Sequence, residues 1–157
     1  MSVVELSPIV KRIEVRRTAA DAFRMFTDEI SAWWPMKKHS RARDADGEVT
    51  VRVAFEPRIG GRLYETLNTG EERDWGEVLA FEPGSRVLFT FGFGRTRETC
   101  GEVEVLFEPL DASSCRVTLT HAGWERYGDD AASQHRGFAN GWEFVFTDAF
   151  GGFVGLR

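Results

Sequence analysis

Between Glu48 and Ala122 the apolar residues recur at every second position, and after Gly128 they recur at every third or fourth. This change of period limits the fold more than any other feature, because a period of two marks one face of a strand and a period near 3.6 marks one stripe of a helix. Val49, Val51, Val53 and Phe55 share a face, and Leu63, Glu65 and Leu67 follow after Gly60-Gly61. Val87, Phe89, Phe91 and Phe93 share another face, then Val103, Val105 and Phe107, and finally Val117 and Leu119. The breaks at Asn68-Thr69-Gly70, Glu82-Pro83-Gly84-Ser85 and Leu110-Asp111-Ala112-Ser113 have hairpin lengths and turn residues. The pattern predicts an antiparallel meander.

Upstream, Ile9 to Arg16 alternates apolar and charged residues and reads as a first, half-buried strand. Thr18-Ala19-Ala20-Asp21 has the form of a capping box with Asp in place of Glu, and Ala22, Phe23, Phe26 and Ile30 follow at helical spacing. A second short helix or turn carries Glu29 to Trp34 and ends near Pro35, since proline disfavours helical geometry in the residue before it. Lys37 to Gly47 reads as a polar loop. Downstream, Phe138, Trp142, Val145, Ala149 and Phe153 step by four, three, four and four, which predicts one long C-terminal helix. Its glycines predict either a close approach to the sheet or a helix that bends or frays after Phe150.

The 157 residues suit one domain with a real core, and the expectation is a single domain over residues 1–157. Thirteen Phe and five Trp make the apolar fraction strongly aromatic, so large rings must fill a core or line a cavity. A net charge of -5 argues against nucleic-acid binding, which needs an excess of Lys and Arg on one face. No apolar run approaches the roughly 18 residues that span a bilayer, and the first segment lacks a leader pattern, so a cytoplasmic protein with no membrane partner is expected. Cys100 and Cys115 have no metal-type spacing and are expected to be reduced.

Three stretches begin Gly-Glu-Val and end Phe-Glu-Pro: Gly47 to Pro57, Gly76 to Pro83 and Gly101 to Pro109. Their spacing differs, so they are strand grammar and not a repeat: a Gly after a turn, alternation, an anchoring Phe, then a Pro that ends the strand. In the middle copy Val78 and Phe81 are an odd number of residues apart and fall on opposite faces. Either a bulge at or near Gly76 restores the register, or Glu77 points inward among apolar groups.

Known catalytic apparatus is missing from the sequence. His39, His121 and His135 are not spaced as metal ligands, and no nucleophile elbow, phosphate loop or zinc signature occurs. Gly92-Phe93-Gly94-Arg95 reads as a hairpin loop. His121 continues the inward parity of Val117 and Leu119; it either lines a cavity, where with Glu77 it could do acid–base work, or is hydrogen-bonded at a strand end. The basic run Lys37, Lys38, His39, Arg41 and Arg43 is either a solvated loop or a rim that steers an anionic amphiphile.

Several stretches, in order, carry a resemblance. They are Phe55-Glu56-Pro57-Arg58-Ile59-Gly60-Gly61-Arg62-Leu63, Trp75 to Pro83, Val87-Leu88-Phe89-Thr90-Phe91, Leu119-Thr120-His121-Ala122-Gly123-Trp124 and Gly141-Trp142, with Trp33-Trp34 after an early helix. Together they resemble the activator of Hsp90 ATPase homologue 1-like (AHSA1-type) family of the START/Bet v1-like (SRPBCC) superfamily. The resemblance implies an α+β helix-grip fold, in which a curved antiparallel sheet wraps a long C-terminal helix, often with a hydrophobic cavity between them. It implies non-catalytic binding of a small hydrophobic or amphipathic molecule, by Trp33, Trp34, Phe55, Tyr64, Trp75, Glu77, Phe89, Phe91, His121, Phe138 and Trp142. The alternatives are a cochaperone-like module that contacts a chaperone or another protein, and a cofactorless cyclase or lyase. No cofactor or metal is expected, and the chain is expected to be a monomer or a homodimer.

Overall fold

A computed structural model describes residues 6–155. Strand β1 (Ile9–Val15) leads into helices α1 (Ala19–Thr27) and α2 (Ile30–Trp33). Six strands follow: β2 (Thr50–Phe55), β3 (Arg62–Leu67), β4 (Glu72–Glu82), β5 (Arg86–Phe91), β6 (Gly101–Asp111) and β7 (Ser114–Ala122). The chain then runs through α3 (Ala131–Trp142), a π-helical segment (Glu143–Phe150) and α4 (Gly151–Val154). All seven strands form one antiparallel sheet in the order β1-β7-β6-β5-β4-β3-β2. Successive hairpins build β2 to β7, and β1 closes the far edge by pairing Ile9 with His121 through Val15 with Cys115. The sheet curls into a half-barrel around the C-terminal helix, which is the helix-grip architecture.

Local chemistry explains the early helices. The Thr18 side chain accepts a hydrogen bond from the Asp21 amide at 3.1 Å and starts α1, whose Ala22, Phe23 and Phe26 are buried. Phe23 and Phe26 meet Phe107 of β6 edge-to-face, at 5.3 and 6.1 Å between centroids. Trp34 leaves helical geometry at ψ 129°, as a residue before proline should.

Four departures from simple alternation shape the interior. In β2 the register shifts between Thr50 and Arg52, so Thr50 is buried while Val49 and Val51 are exposed rather than sharing the face of Val53. In β4 the pairing shifts at Trp75 against β3 and again at Leu79 against β5. Trp75 and Val78 are thereby buried while the Glu77 side chain remains 46% exposed, 3.9 Å from Arg97. The bulge, and not an inward carboxylate, resolves the parity conflict of the middle Gly-Glu-Val stretch. In β6 Pro109 does not end the strand; it pairs with Cys115 beside an irregularity that extends to Asp111.

The C-terminal helix departs most. Beyond Val145 the buried set is Phe146, Phe150, Gly151 and Val154, whereas Ala149 and Phe153 are only partly buried. Each wide turn of the π segment takes up roughly one extra residue, so the buried stripe changes phase there. The chain stays helical to Val154, so the helix does not fray after Phe150. Nor does Gly137 allow a close approach to the sheet, because a Cβ placed on it would meet nothing within 4 Å.

Gly76 is different: a Cβ there would lie 1.7 Å from the Thr90 carbonyl oxygen. Backbone that close on a central strand cannot move aside cheaply. Gly76→Ala is therefore expected to destabilise the fold by about 3 kcal/mol or more, read as a fall in the urea midpoint at unchanged m-value. An unchanged midpoint would mean that β4 does not approach β5 in this way.

Candidate functional site

The concave face and the C-terminal helix bring together Trp33, Trp34, Phe55, Trp75, Phe89, Phe91, His121, Phe138 and Trp142. Trp34 meets Trp75 at 5.0 Å and Trp142 at 6.0 Å; Phe91 meets Trp142 at 5.2 Å and Phe138 at 5.8 Å. Phe55 meets Phe89 at 5.2 Å, and Trp33 meets Phe150 at 4.9 Å. Tyr64 and Glu77 are not part of this set. Tyr64 alternates with the inward Leu63 and Glu65, and the Arg62 guanidinium covers its ring at 4.0 Å. Glu77 lies beside Arg97, so no pair with His121 forms.

Every indole N–H is anchored. Trp33 donates to the Met25 carbonyl at 2.9 Å, Trp34 to the His39 carbonyl at 2.6 Å and Trp124 to the His121 carbonyl at 3.0 Å. Trp75 donates to Glu65 Oε1 at 2.8 Å and Trp142 to His121 Nδ1 at 3.0 Å. These polar anchors fix the large rings in one orientation each.

His121 has no exposed surface. Because Nδ1 accepts from Trp142, the proton of the neutral ring sits on Nε2, which points at the Tyr127 hydroxyl 3.3 Å away. Tyr127 in turn donates to the Phe91 carbonyl at 3.4 Å. Burial pushes the imidazole down to about 3, with a smaller contribution from the charge of His135. Both nitrogens are committed to the protein, which is the hydrogen-bonded strand-end arrangement and leaves no free lone pair for general-base work.

Glu65 has no exposed surface either. Its Oε1 accepts from the Arg41 amide at 2.6 Å and from Trp75, and its Oε2 accepts from the Thr50 hydroxyl. No cation among the described residues pairs with it. Its place between Leu63 and Leu67 at inward parity was the one available signal that this carboxylate is buried. Thr50 gave none, since only the bulge in β2 turns it inward.

The rings leave little room. The void left between sheet and helix measures about 30 Å³ and is bounded by Trp34, His39, Phe91, Phe93, Phe138, Gly141, Trp142 and Val145. That is space for a water molecule or two. Directly outside lies a trough of about 370 Å³ bounded by Lys38, His39, Gly137, Asn140, Gly141 and Phe144. The basic run divides: Lys38 and His39 border this trough, whereas Arg41 reaches away and donates to the Asp74 carbonyl at 3.0 Å. Arg41 there joins a groove of about 780 Å³ whose Arg62, Arg73 and Arg97 are matched by Glu71, Glu72, Asp74 and Glu77. Desolvation lowers the His39 imidazole below its ordinary value, and neighbouring Lys38 adds to this. Among the described residues no group of three or more His, Cys, Asp or Glu side chains could hold a metal ion, and no helix is long and apolar enough to cross a membrane.

Residues 16–154 match the model of the Activator of Hsp90 ATPase homolog 1-like proteins. The chain belongs to that family. No curated protein matches the sequence. Among solved structures, this family member is similar to an anthrahydroquino-gamma-pyrone synthase, Txn09, solved as a complex, at 29% identity and TM-score 0.57 over 86% of this chain and 88% of the other. It shares its fold with protein MLL2253 from Mesorhizobium loti, at 17% identity and TM-score 0.63 over 91% and 93% of the two chains. It also shares its fold with an HSP90 activator from Plasmodium falciparum, at 17% identity and TM-score 0.60 over 97% and 99%.

Two outcomes follow from the buried polar groups. The native state excludes the proton that His121 accepts when unfolded, so the unfolded chain binds more protons between about pH 3 and pH 6.5, and stability rises with pH across that window. The slope from this residue is about 1.4 kcal/mol per pH unit at most, and urea melts from pH 4 to 7 are expected to show a shallower slope for His121→Gln than for the wild type. Glu65→Ala strands the Arg41 amide, the Trp75 indole and the Thr50 hydroxyl, at about 1–3 kcal/mol for each group left unpaired. Trypsin is expected to cut at Lys38, Arg41 or Arg43 faster in that variant than in the wild type; an unchanged rate would show that Glu65 does not hold the loop.

Proposed function

We propose that this protein binds a small apolar or amphipathic molecule between the sheet and the C-terminal helix, reached through the trough beside Lys38 and His39. One observation carries the reading: the trough of about 370 Å³ abuts the aromatic interior and shares His39 and Gly141 with the void inside it. Its size lies within the roughly 300–1,000 Å³ of small-molecule sites, and its lining joins Gly137, Gly141 and Phe144 to three polar residues, Lys38, His39 and Asn140. The void alone holds no ligand, so binding requires side chains at this boundary to move. The 29% identity to a synthase supports a second reading, a cofactorless enzyme acting on a ring-bearing substrate in the same space. With His121 saturated, its chemistry would need another base.

The decisive measurement is native mass spectrometry of protein purified gently from its source, with melting temperatures across a panel of aromatic and fatty acids. A discrete adduct is expected, and a bound ligand at a hundredfold excess over its Kd is expected to raise the melting temperature by roughly 5 °C or more. Gly141→Leu, which fills the trough from a helical position and gains helix propensity, is expected to abolish both without lowering the melting temperature of the free protein. A clean apo mass with no stabilising compound, or an adduct unaffected by Gly141→Leu, would overturn the reading.

A further inference from the structure

The trough and the void adjoin at one movable side chain. Both are bounded by His39 and Gly141, and Gly141 presents no side chain. The main chain of His39 is fixed on both sides: its amide donates to the Pro35 carbonyl at 3.1 Å and its carbonyl accepts from the Trp34 indole. Its imidazole is not. Among the described residues neither ring nitrogen has a hydrogen-bond partner, and the ring rests against Phe144, 5.5 Å between centroids. Phe144 is itself 43% exposed, which is high for a phenylalanine. A Cβ on Gly141 would come no nearer than 3.8 Å to His39 Cε1, and Gly137, one turn earlier, faces open space. With a fixed backbone and a loosely held ring, the rotation that joins trough to void is a change of side-chain rotamer alone.

Charge limits what can enter. Lys38 borders the trough with no carboxylate in ion-pair range among the described residues, and no acidic side chain lines it. Further in, the oxygens of Glu65 are already taken by three donors and both ring nitrogens of His121 are engaged. An anion carried inward would lose its water with no cation to replace it. A ligand therefore goes in ring first and leaves its charge at the mouth.

We propose that His39 is the gate of this site and, with Lys38, the residue that selects its ligand: a flat aromatic acid whose ring passes between His39 and Gly141 toward Trp34, Phe91 and Trp142. The acid group stays outside beside the Lys38 ammonium and a ring N–H of His39. This rests on the binding function proposed above. It makes His39 a specificity-determining residue whose removal changes the rate of access, while Lys38 sets the preference for charge.

Stopped-flow fluorescence with two probes tests it: 8-anilinonaphthalene-1-sulfonate, and N-phenyl-1-naphthylamine, which has the same rings without the sulfonate. Both are expected to bind the wild type saturably at one site, and Gly141→Leu is expected to weaken both by about tenfold or more. His39→Ala is expected to raise the association rate constant of both probes about tenfold, since the conformational step that slows docking is gone. Lys38→Gln is expected to weaken the sulfonate about threefold to fivefold and leave the neutral probe unchanged, as suits one exposed charge contact. If neither probe binds, or if Gly141→Leu binds like the wild type, the binding function and the gate fall together. If Gly141→Leu blocks both probes but His39→Ala leaves the association rates unchanged, the site stands and the gate falls. If Lys38→Gln weakens the two probes alike, the preference for an acid falls.

Discussion

A carboxylate with no exposed surface organises one end of this half-barrel. Glu65 accepts hydrogen bonds from Thr50, from the Trp75 indole and from the Arg41 main chain, which come from β2, β4 and the loop between α2 and β2. A carboxyl group so placed is tolerable only while its hydrogen-bonding positions are filled. The requirement runs in three directions. It needs the β2 bulge that turns Thr50 inward, it sets the orientation of Trp75 against Trp34, and it holds the loop that carries Lys38 and His39 over the helix. Arg73 supports the same loop from outside: its Nη1 donates to the Arg41 carbonyl at 2.7 Å and to Glu48, its Nη2 donates to Glu48, and its Nε donates to Glu71. The floor and the roof of the candidate site thus depend on one buried, fully hydrogen-bonded glutamate.

Aromatic packing closes the interior around this frame. The sheet and helix could have enclosed a cavity, but the rings of Trp34, Phe91, Phe138 and Trp142 occupy that space and leave about 30 Å³. Each tryptophan is also tied by its N–H, so emptying the interior means breaking polar contacts as well as apolar ones. The rim is softer. Among the described residues Phe144 is partly exposed, His39 has no ring hydrogen bond and a Cβ on Gly137 would meet nothing, so the edge of the helix-grip is packed less tightly than its interior. The neutral His121, buried between Trp142 and Tyr127, completes a polar seam that keeps the end of β7 in register with α3.

Much of the architecture was legible from spacing. The Thr18 cap, the end of α2 before Pro35, the hairpins and the terminal helix all follow from local rules, because they depend on residues a few positions apart. Most departures from the regular pattern share one cause. Val51, Trp75, Leu79 and the π segment each insert a residue into a regular pattern, and an insertion reverses the parity of everything that follows until another corrects it. Tyr64 was placed with the other aromatics, although its own alternation with Leu63 and Glu65 puts it on the opposite face of the sheet, where the Arg62 guanidinium covers it.

The sequence by itself determined an antiparallel meander, a C-terminal helix and an interior dominated by aromatic rings, since periodicity and composition act locally and additively; the ordered motifs carried the resemblance to a family, which implied that the sheet grips the helix. Tertiary structure decided which of those rings meet, that Glu77 faces Arg97 and not His121, that Glu65 is held by three neutral donors, and that His39 stands between trough and void. Those outcomes depend on bulges and on chain segments that meet only after the sheet curls. No spacing rule reaches across that distance, because which groups become neighbours is settled by the packing of the whole chain.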